Sequence, residues 1–285
     1  MADKTENVPV PPESVKLTPE ELEAIDALRK EFTENLADDV LIRFVRGYWK
    51  EENRHQHTVD VLTKTLEWRK AGNVDGLENK ILEKEDLFYE TWPQDFHGVS
   101  KMGHPIYYEK TATIKPDELL EKFTKEEIEM HHAQMQETLL CMKRELTEKT
   151  GQLTYKSIVI MDMADFGRKH LSSKFSDPIK AIIHIDQYYY PETLQKLFLI
   201  NCPFVFRMMW AIIRPWLHPL TASRIEILGG SYLPKLQELC DDDQIPVYLG
   251  GACKCCENVP LEKQMTARLD KIKMKRDARI AALNK

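Results

Sequence analysis

The sequence predicts an α/β protein in which a helical amino-terminal module precedes a mixed, mostly parallel sheet with crossover helices. Residues 17–80 carry apolar positions at helical spacing. The pattern changes near Trp92, and the domain predicted over residues 88–252 alternates short apolar runs with helical patterns. That alternation favours parallel strands joined by helices. Glycine-rich phosphate loops, dinucleotide fingerprints and nucleophile-elbow serines are missing from the sequence, so no enzyme is predicted.

The amino-terminal module is predicted to contain three helices. Residues 1–16 are proline-rich and are expected to be flexible. Thr18 is suited to cap the first helix, with Glu21 completing a capping box. A second helix is expected over residues 40–49, and a third is expected to begin at Thr58.

The following domain is predicted from short apolar runs and longer helical patterns. The predicted strands are residues 106–109, 157–161, 197–200 and 224–228. The predicted helices are residues 128–146, residues 175–188, an apolar segment after Pro203, and a helix ending near Cys240. A basic final helix is expected over residues 260–285.

Charge is distributed unevenly along the chain. The 285 residues have a net charge of −6, whereas residues 260–285 hold eight basic and three acidic side chains. An acidic body argues against nucleic acid as a partner. The basic segment would suit anionic lipid headgroups, but a helix packed on the body is the favoured interpretation.

Nothing in the sequence predicts secretion or a membrane span. The first residues are polar and acidic, unlike a signal peptide. Arg207 and Arg214 interrupt the only long apolar segment, which therefore falls short of the ~18 apolar residues that a span requires. The six cysteines are interpreted as free thiols, and a cytoplasmic location is expected.

Two patterns raise the possibility of a di-metal centre. Glu52 with His55, and Glu129 with His132, each place a carboxylate and an imidazole on one helix face. The two patterns lie in different predicted modules, and His132 falls on an apolar stripe. A di-metal centre is therefore not expected.

A cysteine cluster near residue 255 is the other candidate metal site. Cys253, Cys255 and Cys256 lack the C-x-x-C pairs of most structural zinc sites. Cys240 is a weak fourth ligand on spacing alone. The prediction is free thiols, with no metal and no cofactor.

The segment from Phe204 to Leu217 is unusually apolar and has polar residues on either side of it. Glu192 precedes it, and Thr221 and Arg224 follow. This arrangement favours a ligand with one polar end and a long apolar body, although a plain core helix has the same hydrophobicity.

Several motifs together resemble the CRAL-TRIO lipid-exchange family of yeast-type phosphatidylinositol/phosphatidylcholine transfer proteins. The matching segments are Leu41–Arg46, Trp68–Lys70, Gly103–Tyr107, Met161–Gly167, Tyr189–Glu192, Ile200–Ile225 and Pro246–Gly251. The resemblance implies that the sheet lines an apolar pocket for one lipid, and that the segment from Phe204 to Leu217 gates this pocket.

The resemblance also implies roles for individual residues. The gate and acyl-chain residues would be Phe204, Phe206, Met209, Trp210 and Ile213. Headgroup binding would involve Glu192, Thr221 and Arg224, with Arg224 replacing the family's lysine and Tyr48 replacing an expected arginine. Tyr107 and Ser157 match a choline-lipid cluster, whereas Phe96 and Val159 replace its tyrosine and threonine.

The function predicted is a cytoplasmic, non-enzymatic carrier that exchanges one phospholipid between membranes, either phosphatidylinositol or another glycerophospholipid. Its expected partners are this lipid and, transiently, a membrane surface; a monomer is expected, and no protein partner is identified. Two alternatives stay open. One is a carrier of a sterol, tocopherol or retinoid; the other is a regulatory protein that presents a lipid with little bulk transfer.

Overall fold

The computed structural model describes residues 16–283, so the predicted flexible segment lies outside it except for Lys16. The strands are β1 (Gln94–Val99), β2 (Pro105–Glu109), β3 (Ser157–Asp162), β4 (Leu194–Ile200) and β5 (Ile225–Ile227). The helices are α1 (Pro19–Glu31), α2 (Asp38–Gly47), α3 (Arg54–Ala71), α4 (Glu85–Thr91), α5 (Pro116–Lys122), α6 (Lys125–Thr150), α7 (Ser173–Tyr188), α8 (Phe206–Ile213), α9 (Pro219–Ser223), α10 (Leu233–Leu239) and α11 (Gln264–Leu283).

Helices α1–α3 form the amino-terminal module around one apolar cluster. The predicted capping box is present at α1, where the Glu21 N–H donates to the Thr18 hydroxyl (3.2 Å). The prediction that Thr58 begins α3 was wrong, because the helix begins at Arg54. The Thr58 hydroxyl donates to the Arg54 carbonyl (2.7 Å), which is an interior bond of the helix and not a cap.

The sheet has the order β1-β2-β3-β4-β5, with β1 antiparallel to β2 and the other pairs parallel. The mostly parallel α/β fold is therefore confirmed. Strand β1 was not predicted, because its sequence does not alternate and includes Gly98 at φ +79°. A Cβ at this position would lie 2.5 Å from the Gln244 carbonyl, so the close approach requires glycine.

Alternation along the strands gives the sheet two different faces. Ile106, Ile158 and Phe198 point to one face and pack with Leu236 of α10. Their neighbours in the chain, such as Val159 and Leu197, point to the other face, which lines a cavity. The sheet thus separates a packed core from a ligand-sized space.

The carboxy-terminal helix α11 packs against the body. Arg268 forms a buried ion pair with Asp95 of β1, with 2.6 Å between Nε and Oδ2. Arg276 likewise pairs with Glu85, and Lys273 Nζ lies 2.5 Å from an Asp86 oxygen. Several basic side chains of this segment therefore serve packing, in line with the interpretation that the sequence favoured.

Candidate functional site

A cavity of about 850 Å³ lies between the sheet and the surrounding helices. Its volume is within the range of small-molecule sites, about 300–1,000 Å³. The sheet contributes mostly apolar side chains, namely Tyr107, Ser157, Val159, Met161, Leu197, Leu199 and Ile225. Helices α6, α7 and α8 supply further walls, and the amino-terminal module reaches the cavity through Tyr48, His57 and Val61.

Helix α8 is apolar on two faces. Phe206, Trp210 and Ile213 line the cavity. Phe204, just before the helix, and Met208 are 79% and 60% exposed. The outer residues are spaced four apart, which places them on one side of the helical segment. Apolar side chains so exposed are available to an apolar environment outside the folded chain.

Two of the predicted gate and acyl-chain residues do not line the cavity. Met209 is fully buried and packs in a cluster with Phe166 and Phe175, beside the cavity wall. Phe204 lies outside, with Arg207 stacked over its ring at 5.0 Å. The helix turns by about 100° per residue, so neighbouring positions cannot all face one cavity.

At one end of the cavity, Glu192 lies between two cations. Arg224 Nη2 donates to Glu192 Oε2 (2.8 Å), and Lys156 Nζ lies 3.2 Å from the same oxygen. Arg224 Nη1 also donates to the Leu194 carbonyl (3.0 Å). We call Lys156, Glu192 and Arg224 the rim triad. It carries one net positive charge at the amino-terminal ends of β3 and β4.

The rim triad keeps its carboxylate ionised. Burial alone would raise the pKa of Glu192, but the hydrogen bond from Arg224 and the charge of Lys156 outweigh it. The pKa of this carboxyl is therefore below its ordinary value. Thr221 also lines the cavity. Burial raises the pKa of Tyr48, another cavity residue, to about 12.

The backbone around Glu192 is strained and tightly packed. Glu192 has φ +58°, a left-handed conformation that non-glycine residues rarely adopt. Helix α2 approaches this turn at Gly47, where a Cβ would lie 3.1 Å from the Pro191 Cβ. Such strain persists where surrounding structure enforces it, and it clusters at functional sites.

A buried carboxylate lies deeper in the cavity. Glu109 accepts hydrogen bonds from the Tyr107 hydroxyl (2.8 Å) and from the Thr111 hydroxyl. Burial raises the pKa of Glu109 above its ordinary value despite these donors. All three side chains line the cavity. This end of the cavity therefore offers polar atoms to a ligand.

A second polar group belongs to the helices that line the cavity. His132 Nε2 lies 2.6 Å from Asp186 Oδ1, which also accepts from Gln136 Nε2 (2.7 Å). The Glu129–His132 pattern therefore serves helix packing, and His55 instead approaches Glu31 (3.3 Å). The two predicted modules do not bring these patterns into one metal centre.

The choline-lipid positions come together only in part. Tyr107 and Ser157 line the cavity, but the Ser157 hydroxyl donates to the Thr193 carbonyl (3.2 Å). Val159 also lines the cavity. Phe96 is buried against Tyr107, with 5.3 Å between ring centroids, and does not line the cavity.

Sequence reasoning missed Lys156, Glu109 and Asp186. Lys156 immediately precedes β3 and pairs with Glu192, whereas Glu109 ends β2 and lines the cavity. A charged residue beside a buried strand was the available signal, because such a residue needs a partner or a ligand. Asp186 offered no comparable signal on the amphipathic α7.

Comparison with known proteins identifies the domain. Residues 89–251 match the CRAL/TRIO domain. This chain belongs to the CRAL/TRIO domain family. The family assignment agrees with the motifs of the sequence, and the match covers the five-stranded sheet and most of the cavity-lining elements.

Curated relatives from a plant and a yeast match most of this chain. Phosphatidylinositol/phosphatidylcholine transfer protein SFH7 of Arabidopsis thaliana is 32% identical over 221 residues, covering 76% of this chain and 40% of the relative. Sec14 cytosolic factor of Schizosaccharomyces pombe is 31% identical over 239 residues, covering 81% and 82%. The chain spans less than half the length of the Arabidopsis relatives SFH7 and SFH12.

A solved CRAL/TRIO relative supports the fold. The crystal structure of Sfh5 superimposes with a TM-score of 0.57 at 18% identity, covering 76% of this chain and 70% of that chain. At this identity the likeness concerns the fold alone. Within residues 16–283, no helix combines the length and apolarity that crossing a bilayer requires.

Proposed function

We propose that this chain is a non-enzymatic carrier that holds one phospholipid in the cavity and exchanges it between membranes. The observation that carries the proposal is one cavity with apolar walls on the sheet and α8 and with the charged rim triad at one end. The relatives named as phosphatidylinositol/phosphatidylcholine transfer proteins support it. A phospholipid has a polar head and apolar tails, which match the charged end and the apolar walls of the cavity.

The energetic reason for a closed cavity is the insolubility of the ligand. Each buried CH₂ contributes about 0.8 kcal/mol, so two acyl chains represent on the order of 20 kcal/mol. A lipid therefore does not cross water alone at a useful rate. A cavity as apolar as the bilayer interior makes the exchange nearly neutral in free energy.

The rim triad favours an anionic, hydroxylated headgroup. Arg224 lines the cavity and provides a cation for a phosphate, and Glu192, which Lys156 also contacts, provides an acceptor for hydroxyl groups. Phosphatidylinositol carries both kinds of group. Thr221 lines the same cavity and would add a hydroxyl partner, while Tyr48 would contribute a ring and a hydroxyl.

Docking at a membrane would use the outer face of α8. Phe204 and Met208 are exposed there, and Arg207 and Arg214 are exposed basic neighbours. Apolar insertion with basic contacts to anionic lipid is a known mode of interfacial binding. The location proposed is accordingly cytoplasmic, with transient association at membrane surfaces.

Lipid analysis of the purified protein tests this proposal. Native mass spectrometry is expected to find one phospholipid per chain, and vesicle assays are expected to show transfer of fluorescent phosphatidylinositol. A bound sterol, tocopherol or retinoid would support the other carrier class instead. Full occupancy with negligible transfer would indicate lipid presentation. Protein that holds no extractable lipid and binds no fluorescent phospholipid would refute the proposal.

A further inference from the structure

The carboxy-terminal cysteine cluster meets a histidine from the sheet. Cys253, Cys255 and Cys256 follow the matched domain, and His97 lies on β1. One donor atom from each of His97, Cys253 and Cys255 falls within 4.8 Å of the other two. Sequence spacing could not show this, because His97 and Cys255 are 158 positions apart.

The distances suit a tetrahedral metal ion. Cys255 Sγ lies 3.8 Å from His97 Nδ1 and 3.6 Å from Cys256 Sγ. Zn–S bonds of ~2.3 Å place two thiolates about 3.8 Å apart in a tetrahedral site. The donor atoms of His97, Cys253 and Cys255 therefore form a three-donor cluster, and Cys256, whose sulfur lies beside that of Cys255, is the fourth donor that the proposal requires.

We propose that His97, Cys253, Cys255 and Cys256 bind one structural zinc ion. Three thiolates and one imidazole form a recognised structural zinc set. Thiolate is a soft ligand and imidazole is a borderline one, whereas Mg²⁺ and Ca²⁺ prefer oxygen ligands. This site lies apart from the lipid cavity, whose lining contains none of its four residues.

Hydrogen-bond donors lie against the sulfur atoms of this cluster. The Cys255 N–H donates to Cys253 Sγ (3.3 Å), and Lys271 Nζ lies 3.9 Å from Cys256 Sγ. Lys271 also donates to the Cys255 carbonyl (3.0 Å). Around a bound ion, such donors would act as outer-shell hydrogen bonds that orient the coordinating sulfur atoms. Cys255 is exposed, which provides an entry path for the ion.

The bound ion would fasten the end of the domain to the sheet. Gln264 Nε2, at the start of α11, donates to the Cys256 carbonyl (3.2 Å) and the Val259 carbonyl (3.1 Å). The cysteine turn is therefore connected to α11 on one side and, through His97, to β1 on the other. A zinc ion would stabilise this junction without touching the ligand cavity.

Metal analysis of the full chain tests the zinc site. Inductively coupled plasma mass spectrometry is expected to find one zinc per chain in protein purified without chelator. Cys255→Ser and His97→Ala are each expected to lower zinc affinity at least about tenfold. Cys141→Ser is the matched control, because this half-buried thiol lies on α6 outside the cluster.

A second measurement uses the unmodified chain and does not depend on variant folding. Metal-free protein titrated with Co²⁺ is expected to show thiolate-to-metal charge-transfer absorption and the intense visible bands of a tetrahedral site. Any of three results would overturn the proposal: zinc far below one equivalent without cobalt bands, full metal binding in folded Cys255→Ser, or copper or iron in place of zinc. None of these outcomes bears on lipid binding.

Discussion

Glu192 combines three features that rarely occur together in one side chain. Its backbone is left-handed, its carboxylate is buried, and two cations share one of its oxygens. Two cations and one carboxylate leave one formal positive charge, and the binding of an anionic headgroup here stays a prediction.

Glu192→Gln is expected to weaken phosphatidylinositol binding selectively. Hydrogen bonds to charged groups contribute about 1.5–3 kcal/mol, so affinity should fall by roughly tenfold to a hundredfold, while choline lipid is less affected. Vesicle-based binding of both lipids and the melting temperature would be measured together. Glu226→Gln is the control, because Glu226 pairs with Lys196 (2.8 Å) away from the cavity. Equal losses for both lipids would make the triad structural.

Lys143 is expected to make stability depend on pH. Burial, together with the charge of Arg43, lowers the pKa of Lys143 to about 7, and its Nζ lacks a hydrogen-bond partner within residues 16–283. The unfolded chain keeps the proton up to its ordinary pKa of about 10.4, so this lysine destabilises the fold most below about pH 7. The penalty declines as pH rises towards 10.

Lys143→Met is accordingly expected to raise the melting temperature most near about pH 6 and least near about pH 10. These two pH values lie below the pKa of the folded chain and close to the pKa of the unfolded chain. Thermal unfolding at several pH values would measure the difference from the unmodified chain. Lys125→Met, an exposed lysine on the same helix, should show no such trend. A constant difference at every pH would contradict the assignment.

Some residues of the site could be predicted from short sequence motifs, and others depend on contacts between distant segments of the chain. Glu192 and Arg224 were predicted because Glu192 matches a family motif and Arg224 stands where that family has a lysine, and the structure brings them to 2.8 Å. Their headgroup role stays a prediction. Lys156 and the His97–Cys255 approach depend on contacts between distant segments, so no local pattern contained them.

Among the elements, α8 presents different apolar side chains to the cavity and to the outside of the molecule. Its inner residues complete the cavity wall, and its outer residues expose an apolar surface. Helices with caps and periodic stripes could be predicted, as α1 and α6 illustrate. Strand β1 could not, because its pairing with β2 replaces the missing alternation in its own sequence.

Replacing Phe204 and Met208 together by serine is expected to slow vesicle transfer severalfold with little loss of stability. Both side chains are mostly exposed, so the folded chain loses few contacts, while membrane insertion loses about 1.5–3 kcal/mol for each buried side chain. Fluorescent-lipid transfer and melting temperature would be compared. Met274→Ser on α11 is the control, since Met274 is 71% exposed elsewhere. Unchanged transfer would exclude this face from docking.

At the scale of the whole molecule, the amino-terminal module and the sheet domain share buried charges. Arg69 of α3 binds Glu137 of α6 through two hydrogen bonds of 2.8 and 3.0 Å, and the Tyr190 hydroxyl donates to the same carboxylate (2.7 Å). The sequence predicted both parts but not this connection, because an arginine and a glutamate 68 positions apart are not a pattern. The module thus lines part of the cavity. It is also coupled to the domain through the Arg69–Glu137 pair.

Arg69→Met is therefore expected to destabilise the entire chain by about 3–5 kcal/mol, because Glu137 would stay buried without its cation. Adding Glu137→Gln should recover much of that loss, since a neutral amide still accepts from Tyr190. Urea unfolding of the single and double variants would measure both free energies. Arg29→Met is the control, because its pair with Asp38 lies at the surface, where such pairs contribute about 0–1 kcal/mol. If Arg69→Met costs no more than this control, the module and the domain are not coupled through the buried pair, and packing between α3, α6 and α7 must hold them together.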